Sequence, residues 1–439
     1  MIHAETRLHG TVTRLADCQT VELSGRVRRQ VGSLIEADGP PVAPGTLCRI
    51  EDGQGGFWAE VQGFRDGATL LFTLSQQGRV RPGARVTATE RALRAPAGTR
   101  LLGRVIDGLG NPLDDLGPLH ADDEVSVEGT PPPPMSRPRI TEPLSTGVRA
   151  IDSLLTCGKG QRLGLFAGSG VGKSVLLGML ARHGKADVNV VALVGERGRE
   201  VKEFVERDLG PEGLSRSIVV AVTSDQPPLL RLKGAELATR LAEYFRDRGA
   251  DVMLLFDSVT RVAMALREIG LATGEPPTTR GYTPGLYSYL PRLLERAGTH
   301  PNGTITAFYT VLVEGDDMND PVADTVRATL DGHVVLTREL ASRNHFPAID
   351  ILESISRVMP DLVSDDHRRS ATRLRELLAA HREHEDLINI GAYVKGSSRL
   401  VDDAVSLRPE AERFLRQDLA EGSVLHDAVA SLKKLVGAP

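Results

Sequence analysis

Cysteine is scarce in this sequence. Three cysteines occur among 439 residues, at Cys18, Cys48 and Cys157. Their wide spacing matches neither a disulfide framework nor a metal-binding motif, and such sparse usage is typical of a reducing compartment. We therefore expect a cytoplasmic protein without disulfides. We interpret Cys157 as an ordinary packing residue, because buried free cysteines are common.

Long apolar runs and an excess of basic residues are missing as well. No run of roughly 18 apolar residues occurs, so the sequence predicts no membrane-spanning helix, and the polar residues 1–7 do not look like a secretory signal. Lysine and arginine total 53 against 58 acidic residues, and the net charge of −5 argues against a dedicated nucleic-acid binder. The composition, 41% hydrophobic and 25% charged, is that of an ordinary globular protein.

Glycine and proline punctuation divides the chain into three predicted domains. Residues 1–92 carry short β-type runs at intervals of about 8–12 residues, which predicts a small β-barrel. Residues 93–360 are predicted to form an α/β domain with a parallel sheet, because apolar strands alternate with amphipathic helices from about residue 144. A stiff proline-rich linker lies within this domain at 129–143. Residues 361–439 predict a helical domain with an apolar stripe. The predicted strands are 10–13, 46–50, 57–61, 69–73, 163–167, 190–194, 218–222, 252–256 and 304–311, and the stripe is Ala371, Leu374, Leu377 and Leu378.

The clearest functional signal is the segment AGSGVGKS, which lies between a predicted strand and a helical run. This is the context of a phosphate-binding loop (P-loop), because glycines let successive backbone N–H groups point at phosphate oxygens and the positive end of the helix faces the same anion. Lys173 can reach the outer phosphates, and the Ser174 hydroxyl can coordinate Mg²⁺. Ala167 replaces the usual first glycine, which is compatible with a negative φ. The predicted nucleotide-binding residues are Ala167, Gly168, Ser169, Gly170, Val171, Gly172, Lys173, Ser174 and Val175.

Two carboxylates follow other predicted strands. Asp257 ends the apolar run 252–256, where the carboxyl edge of a parallel sheet would direct it at the ligand crevice to support Mg²⁺ together with Ser174. Glu196 follows the run 190–194, on a strand that we expect beside the P-loop, and it is a candidate for activating an attacking water. From spacing alone a solvated charged loop stays open as the alternative for Glu196.

These motifs, together with several longer stretches, resemble the catalytic subunits of rotary ATPases and, in particular, their flagellar and type III protein-export relatives. The shared stretches are the P-loop and residues 195–197, 290–298, 316–325, 330–336, 347–356 and 390–393. The resemblance implies a RecA-like P-loop ATPase core between an N-terminal β-barrel and a C-terminal helical domain. It also implies ATP and Mg²⁺ as ligands and a ring of six identical copies.

The resemblance further implies roles for residues that would otherwise be ordinary charged side chains. Carried over by position, Glu196 looks like the residue that activates water, with Arg197 and Glu200 as its supporting charges. Arg261 looks like a contact to the γ-phosphate from the same subunit. Arg357 looks like an arginine finger that reaches into the neighbouring subunit's site.

Base recognition and partners follow from the same resemblance. Phe346 takes the place where relatives stack an aromatic ring on adenine, and the loop 275–285 would face the central channel and touch a stalk protein. The implied partners are identical subunits, a central stalk protein and a regulator, exported proteins with their chaperones, and the membrane export gate. The implied location is the cytoplasm, peripheral at the inner membrane, and no nucleic acid is expected.

Other functions compete with a flagellar export ATPase. The ATPase of an injection-type secretion system is the nearest alternative, since residues 166–179 look more flagellar whereas 154–157 lean the other way. A Rho-like nucleic-acid motor would need an aromatic platform beside a basic groove, but we interpret Phe57, Trp58, Phe64 and Phe72 as core positions of strands. A non-catalytic ring subunit and an ion-translocating synthase subunit are further alternatives.

Overall fold

The computed structural model describes residues 22–437 apart from 52, 54, 77, 90, 91, 314–316, 318 and 319. Cys18 and the predicted strand 10–13 lie outside the described residues. Two compact units are present, one formed by the described residues up to Arg94 with 227–230 and 272–274, and one formed by the rest. Among the described helices, none has both the length and the apolar character that crossing a bilayer requires.

Six strands in the described part of the first unit close into an antiparallel barrel, in the order β1-β2-β5-β4-β3-β6. The barrel confirms the fold predicted for this part of the chain. Its core consists of alternating inward residues such as Val27, Ile35, Cys48 and Leu71. The strands are β1 (Ser24–Val31), β2 (Leu34–Asp38), β3 (Leu47–Ile50), β4 (Phe57–Arg65), β5 (Ala68–Thr73) and β6 (Arg85–Ala88).

The aromatic residues of the barrel only partly occupy the core. Phe57 and Phe72 are buried, as the sequence predicts. Trp58 is half-buried, because alternation along β4 turns its neighbours inward. The prediction that Phe64 is a core residue is wrong: it lies near the end of β4, beyond the last core residue Val61, and 56% of it is exposed.

The second unit is built on a mostly parallel sheet in the order β19-β18-β12-β17-β15-β13-β14-β8. Only β19 and the short β16 run antiparallel to their neighbours among the described strands of this sheet. Every strand predicted between 163 and 311 is present. The strands of this unit are β7 (Arg94–Ala97), β8 (Val105–Ile106), β9 (Asp123–Ser126), β10 (Pro143–Leu144), β11 (Cys157–Gly158), β12 (Arg162–Ala167), β13 (Val188–Glu196), β14 (Ser217–Thr223), β15 (Asp251–Asp257), β16 (Gly298–Thr299), β17 (Thr304–Leu312), β18 (Gly332–Leu336) and β19 (Ile349–Ser356).

Helices cover the sheet, so its central strands are apolar along nearly their whole length. A π-helical turn, Phe204–Leu209, joins two of these helices. The helices are α1 (Arg149–Leu154), α2 (Lys173–His183), α3 (Gly198–Glu203), α4 (Gly210–Ser215), α5 (Pro228–Arg246), α6 (Val259–Thr273), α7 (Pro284–Leu294), α8 (Pro321–Thr329), α9 (Arg338–Ser342), α10 (Met359–Leu362), α11 (Asp365–Asn389), α12 (Arg399–Leu415) and α13 (Leu425–Leu435).

The C-terminal helices share one hydrophobic core with the sheet. Leu374 and Leu378 of the predicted stripe pack in the same cluster as Leu165 of β12 and Phe414 of α12. Cys157 is also buried in this cluster, as expected of a packing residue. The C-terminal helices therefore pack on the same core as the strand that precedes the P-loop.

One buried ion pair stabilises the packing of α5 against the segment after α7. Arg296 Nε and Nη2 donate to the two carboxylate oxygens of Glu243 at 2.7 and 2.9 Å, and the two side chains are 4% and 3% exposed. Arg240 adds a third contact at 3.2 Å. Because both charges are removed from water, the loss of one partner would leave the other uncompensated.

We predict that Glu243→Ala lowers the free energy of unfolding by about 3–5 kcal/mol, the range for a broken buried pair. Chemical denaturation followed by circular dichroism measures it. The matched control is Glu203→Ala, which breaks the exposed pair with Arg199. This variant should have the same free energy of unfolding as the wild type. Equal curves for wild type and Glu243→Ala would contradict the prediction.

Candidate functional site

The P-loop lies at the carboxyl edge of the sheet, after β12, which has β17 and β18 as neighbours. β12 ends at Ala167, whose φ is not positive. An alanine therefore fits at this position without backbone strain. The chain then turns through Gly170 and Gly172, whose φ values of 79° and 92° lie in the left-handed region that favours glycine. α2 begins at Lys173, so its free N–H groups are available to an anion at the loop.

A cleft of about 600 Å³ opens beside this loop. It is lined by the P-loop, the end of β13, the starts of α3 and α6, and residues from further along the chain. The predicted residues that line it are Gly168, Ser169, Gly170, Gly172, Lys173, Ser174, Val175, Glu196, Arg197, Glu200 and Arg261. The others that line it are Arg207, Asp208, Thr260, Met264, Leu312, Val313 and Arg338. Of the remaining predicted residues, Ala167, Val171 and Asp257 are buried beneath this surface.

Lys173 and Asp257 form the central ion pair of the site. The Nζ atom of Lys173 lies 2.5 Å from Oδ1 of Asp257, and their side chains are 11% and 4% exposed. The hydroxyl of Thr310 donates to the same oxygen at 2.7 Å. Asp257 ends β15, which is separated from β12 by β17 alone. The ion pair therefore connects the start of α2, which follows β12, with the carboxyl end of β15, two strands away in the sheet.

Glu196 reaches the cleft from a more distant strand than expected. The prediction that its strand lies directly beside the P-loop strand is wrong, since β17 and β15 lie between β12 and β13. Glu196 still enters the site because parallel strands deliver their carboxyl ends to one edge. Its Oε1 atom is 3.9 Å from Nζ of Lys173. This buried oxygen accepts no hydrogen bond from any described residue.

The surroundings of Glu196 change its proton affinity. Burial, and next the negative charge of Asp257, raise the pKa of Glu196 to about 7, although the Lys173 ammonium acts in the opposite direction. A hydrogen bond with Glu200 raises the pKa further, and the charge of Arg261 lowers it. The carboxyl group therefore titrates near neutral pH, the range in which a general acid or base is most effective.

Arg261 packs against the chain just before Glu196. Gly195 has a φ of 74°, and a Cβ atom on it would lie 2.6 Å from Cβ of Arg261, so glycine is required there for two reasons. Nη1 of Arg261 lies 3.7 Å from the sulfur of Met264. Arg197, by contrast, is exposed and pairs with Glu200 at 3.7 Å. The predicted supporting charges thus surround the mouth of the cleft.

Phe346 lies next to Gly172 of the P-loop, although it follows Gly172 by 174 residues in the sequence. A Cβ atom on Gly172 would lie 3.5 Å from two carbons of the Phe346 ring. The side chain is 40% exposed, and its peptide bond to Pro347 is cis. The ring is accordingly available to a flat ligand group beside the phosphate-binding loop.

Arg357 lies at the opposite edge of the sheet from the P-loop. β19 runs antiparallel to β18, with Ser356 opposite Gly332, the first residue of β18. The guanidinium of Arg357 donates to the carbonyl groups of Leu330 at 3.2 Å and Arg327 at 3.4 Å. The structure therefore does not bring Arg357 into the cleft of its own chain.

Sequence reasoning missed Arg207, Asp208 and Arg338, which also line the cleft. Arg207 and Asp208 reach it from the π-helical turn, a feature that often marks functional sites but has no simple sequence signature. Arg338 begins α9, and no described acidic side chain lies within ion-pair distance of it. Its only signal in the sequence is the threonine that caps this helix, Thr337.

The chain is similar to known proteins along most of its length. Residues 147–356 match the model of the ATP synthase alpha/beta family, nucleotide-binding domain, and residues 363–434 match that of the T3SS EscN ATPase C-terminal domain. The chain is 56% identical to the flagellum-specific ATP synthase of Bacillus subtilis over 94% of this chain and 95% of that protein.

Two solved structures of EscN, from the type III secretion system of enteropathogenic E. coli, are also similar. The assembled ATPase EscN is 44% identical to this chain, with a TM-score of 0.89. The match covers 94% of this chain and 100% of the EscN chain. EscN in complex with its central stalk EscO is 43% identical, with a TM-score of 0.86 and the same coverage. The fold is thus shared along almost the entire chain, and the protein belongs to the family of flagellum-specific ATP synthases and type III secretion ATPases, enzymes that hydrolyse ATP.

Proposed function

We propose that this ATPase energises protein export through the flagellar type III apparatus as a ring of six identical copies, whose nucleotide sites are completed by neighbouring copies. The observation that carries the proposal is the division of the site within one chain. The P-loop, Asp257 and Glu196 share one edge of the sheet, whereas Arg357 lies at the other.

In the proposed mechanism the phosphates of ATP bind at the amino end of α2. Backbone N–H groups of the loop and the Lys173 ammonium neutralise their charge. Glu196 orients the attacking water and accepts its proton while the bond from the γ-phosphorus to the β,γ-bridging oxygen breaks, giving ADP and phosphate. Arg261, which lines the same cleft, neutralises charge on the γ-phosphate from within the chain.

The donor set of the cleft fits Mg²⁺. Mg²⁺ at nucleotide sites is usually held by one or two protein oxygens together with phosphate oxygens. Ser174 lines the cleft, and the carboxylate of Asp257 is held beneath it by Lys173 and Thr310. We propose that Ser174 and Asp257 hold Mg²⁺, which neutralises charge on the phosphate oxygens when bound.

The sheet order supports the assignment of Arg357 to a neighbouring copy. Five steps lead from β19 to β13, and with neighbouring strands about 4.8 Å apart the lateral separation is roughly 24 Å. Arg357 also lies at the amino edge, whereas Glu196 lies at the carboxyl edge. A single chain therefore cannot place both groups on one phosphate, but two adjacent copies can.

Similarity supports the flagellar branch and a stalk partner. Identity to the flagellum-specific relative of Bacillus subtilis is 56%, against 49% to the type 3 secretion system ATPase of Xanthomonas euvesicatoria, and EscN is known in complex with its central stalk EscO. We propose that the loop 275–285 contacts a corresponding stalk in the central channel. Further proposed partners are a regulator, exported proteins with their chaperones, and the export gate, which the ATPase meets from the cytoplasm at the inner membrane.

The raised pKa of Glu196 predicts the pH dependence of hydrolysis. The ionised form, which accepts the proton, exists above about pH 7 and is lost as the pH falls, so kcat/KM should decrease about tenfold per pH unit below that value. Steady-state kinetics from pH 5 to 9 measure this limb. Glu200→Gln should move this limb to lower pH, since Glu200 raises the pKa of Glu196. A limb caused by titration of ATP itself would stay at the same pH in this variant. The exposed variant Glu203→Gln serves as control, and a wild-type limb near pH 4.5 would contradict the assignment.

Mixing of variants tests the shared site. Glu196→Gln and Arg357→Ala should each lower the rate by about 10³-fold or more, the effect of losing a trans arginine in related phosphoryl transfer. In an equimolar mixture about one quarter of sites should combine an intact Glu196 with a neighbour's intact Arg357, since each condition is met half the time in a symmetric ring. The ATPase rate of the mixture should therefore approach a quarter of the wild-type rate.

The control for this mixture is Arg368→Ala, which removes an exposed arginine of α11 that pairs with Asp365 and should keep the full rate. Dilution should lower the rate of the wild type steeply, because the site is divided between copies. Full activity of Arg357→Ala at every protein concentration would show that the site is complete within one chain.

A cell-based experiment tests the flagellar assignment. We expect expression of this chain to restore swimming to Bacillus subtilis that lacks its own flagellum-specific ATP synthase, because the two sequences are similar throughout. Lys173→Ala, expressed at the same level, should not restore it. Restored secretion in an injection-type system without any restored swimming would favour the other branch.

A further inference from the structure

The loop between α12 and α13, residues 416–424, closes over the part of the core that carries the P-loop; we name it the C-terminal clasp. Gln417, near its start, is 5% exposed. Its side-chain Nε2 donates to the carbonyl groups of Gly147 at 2.7 Å and Glu421 at 2.6 Å, and its Oε1 accepts from the N–H of Arg149 at 2.7 Å. The amide therefore has a partner for both donors and for its oxygen.

The backbone of Gln417 makes the contact that reaches the nucleotide cleft. Its N–H donates to the carbonyl of Phe346 at 2.9 Å. The Phe346 ring is 40% exposed and has Gly172 of the P-loop as a neighbour. The ring is therefore only partly covered by packing, and the hydrogen bond from the clasp holds the backbone of Phe346 beside the cleft.

The clasp is also attached to the far end of the P-loop helix. The carbonyl of Leu419 accepts from Arg182 at 2.9 Å and lies 3.2 Å from a ring nitrogen of His183, and both residues belong to the last turn of α2. Glu421 forms an ion pair with Arg149 at the start of α1. One short segment thus contacts the base side of the cleft and both helices that flank β12.

We infer that Gln417 is a positioning residue for the nucleotide base: its side chain fixes the clasp, and its N–H holds Phe346 in the place where the ring stacks on adenine. The inference rests on the proposed role of Phe346 as the base contact. It predicts that loss of the Gln417 amide weakens ligands that carry a base and spares ligands that carry phosphates alone.

The experiment compares inhibition of ATP hydrolysis by ADP and by pyrophosphate, each with Mg²⁺, in the full-length protein. For Gln417→Leu the inhibition constant of ADP and the KM for ATP should rise on the order of tenfold, the effect expected from lost buried hydrogen bonds. The inhibition constant of pyrophosphate and kcat should stay within about twofold of wild type. A purely structural role would move both inhibition constants together, and that result would overturn the inference.

Two reference variants separate the possible failures. Glu410→Gln, on α12, removes only an exposed ion pair with Arg413, so its constants should equal those of wild type. Phe346→Ala should weaken ADP at least as much as Gln417→Leu. If Phe346→Ala leaves ADP binding unchanged, the proposed base contact fails. If it weakens ADP but Gln417→Leu does not, the positioning role alone fails.

A second substitution keeps the test open if Gln417→Leu does not fold. Gln417→Glu has the same size and replaces only the NH₂ group, so its new oxygen would face the carbonyls of Gly147 and Glu421. Melting temperature and far-ultraviolet circular dichroism establish that the variant is folded before its inhibition constants are compared. A selective loss of ADP affinity supports the inference, and unchanged ADP affinity overturns it.

Discussion

The Lys173 ammonium and the Asp257 carboxylate, 2.5 Å apart and almost entirely removed from water, set the conditions for the rest of the site. The pair joins the start of α2 to the end of β15 across a single strand, and Thr310 on that strand completes it. Either charge alone would be costly in this place. The same two charges act in opposite directions on Glu196, since Asp257 raises its pKa and Lys173 lowers it. The proton affinity of Glu196 therefore depends in part on the balance of charge within the Lys173–Asp257 pair.

The proposed base side of the site has a different kind of support. Phe346 is 40% exposed, and its backbone carbonyl accepts a hydrogen bond from Gln417. Gln417 follows α12, whose residues Phe414 and Leu415 pack in the same hydrophobic core as β12. The proposed phosphate side is thus built on one continuous segment, the P-loop, and on charged residues at the ends of other strands of the sheet. The base side is built from distant residues and held by hydrogen bonds to main-chain groups.

This difference explains how far sequence reasoning could go. The P-loop and the central strands are visible because their signals are local, a spacing of glycines and runs of apolar residues. The order of strands in a sheet depends on contacts between residues distant in sequence. The sequence alone therefore does not show that two strands, β17 and β15, separate β13 from β12. Arg338 and Gln417 enter through tertiary contacts alone. Phe64 was assigned to the core because an aromatic residue in a strand does not reveal which face it occupies.

The location of Arg357 has a consequence for the number of working sites. If each copy receives its arginine from one neighbour and lends its own to the other, contacts between copies are head-to-tail. An open row of such copies always has one incomplete site at an end, whatever its length. Only closure removes the ends, so the last copy to join completes two sites at once. Assembly of the ring would then act as the final step of enzyme activation, with no separate switch needed in the fold.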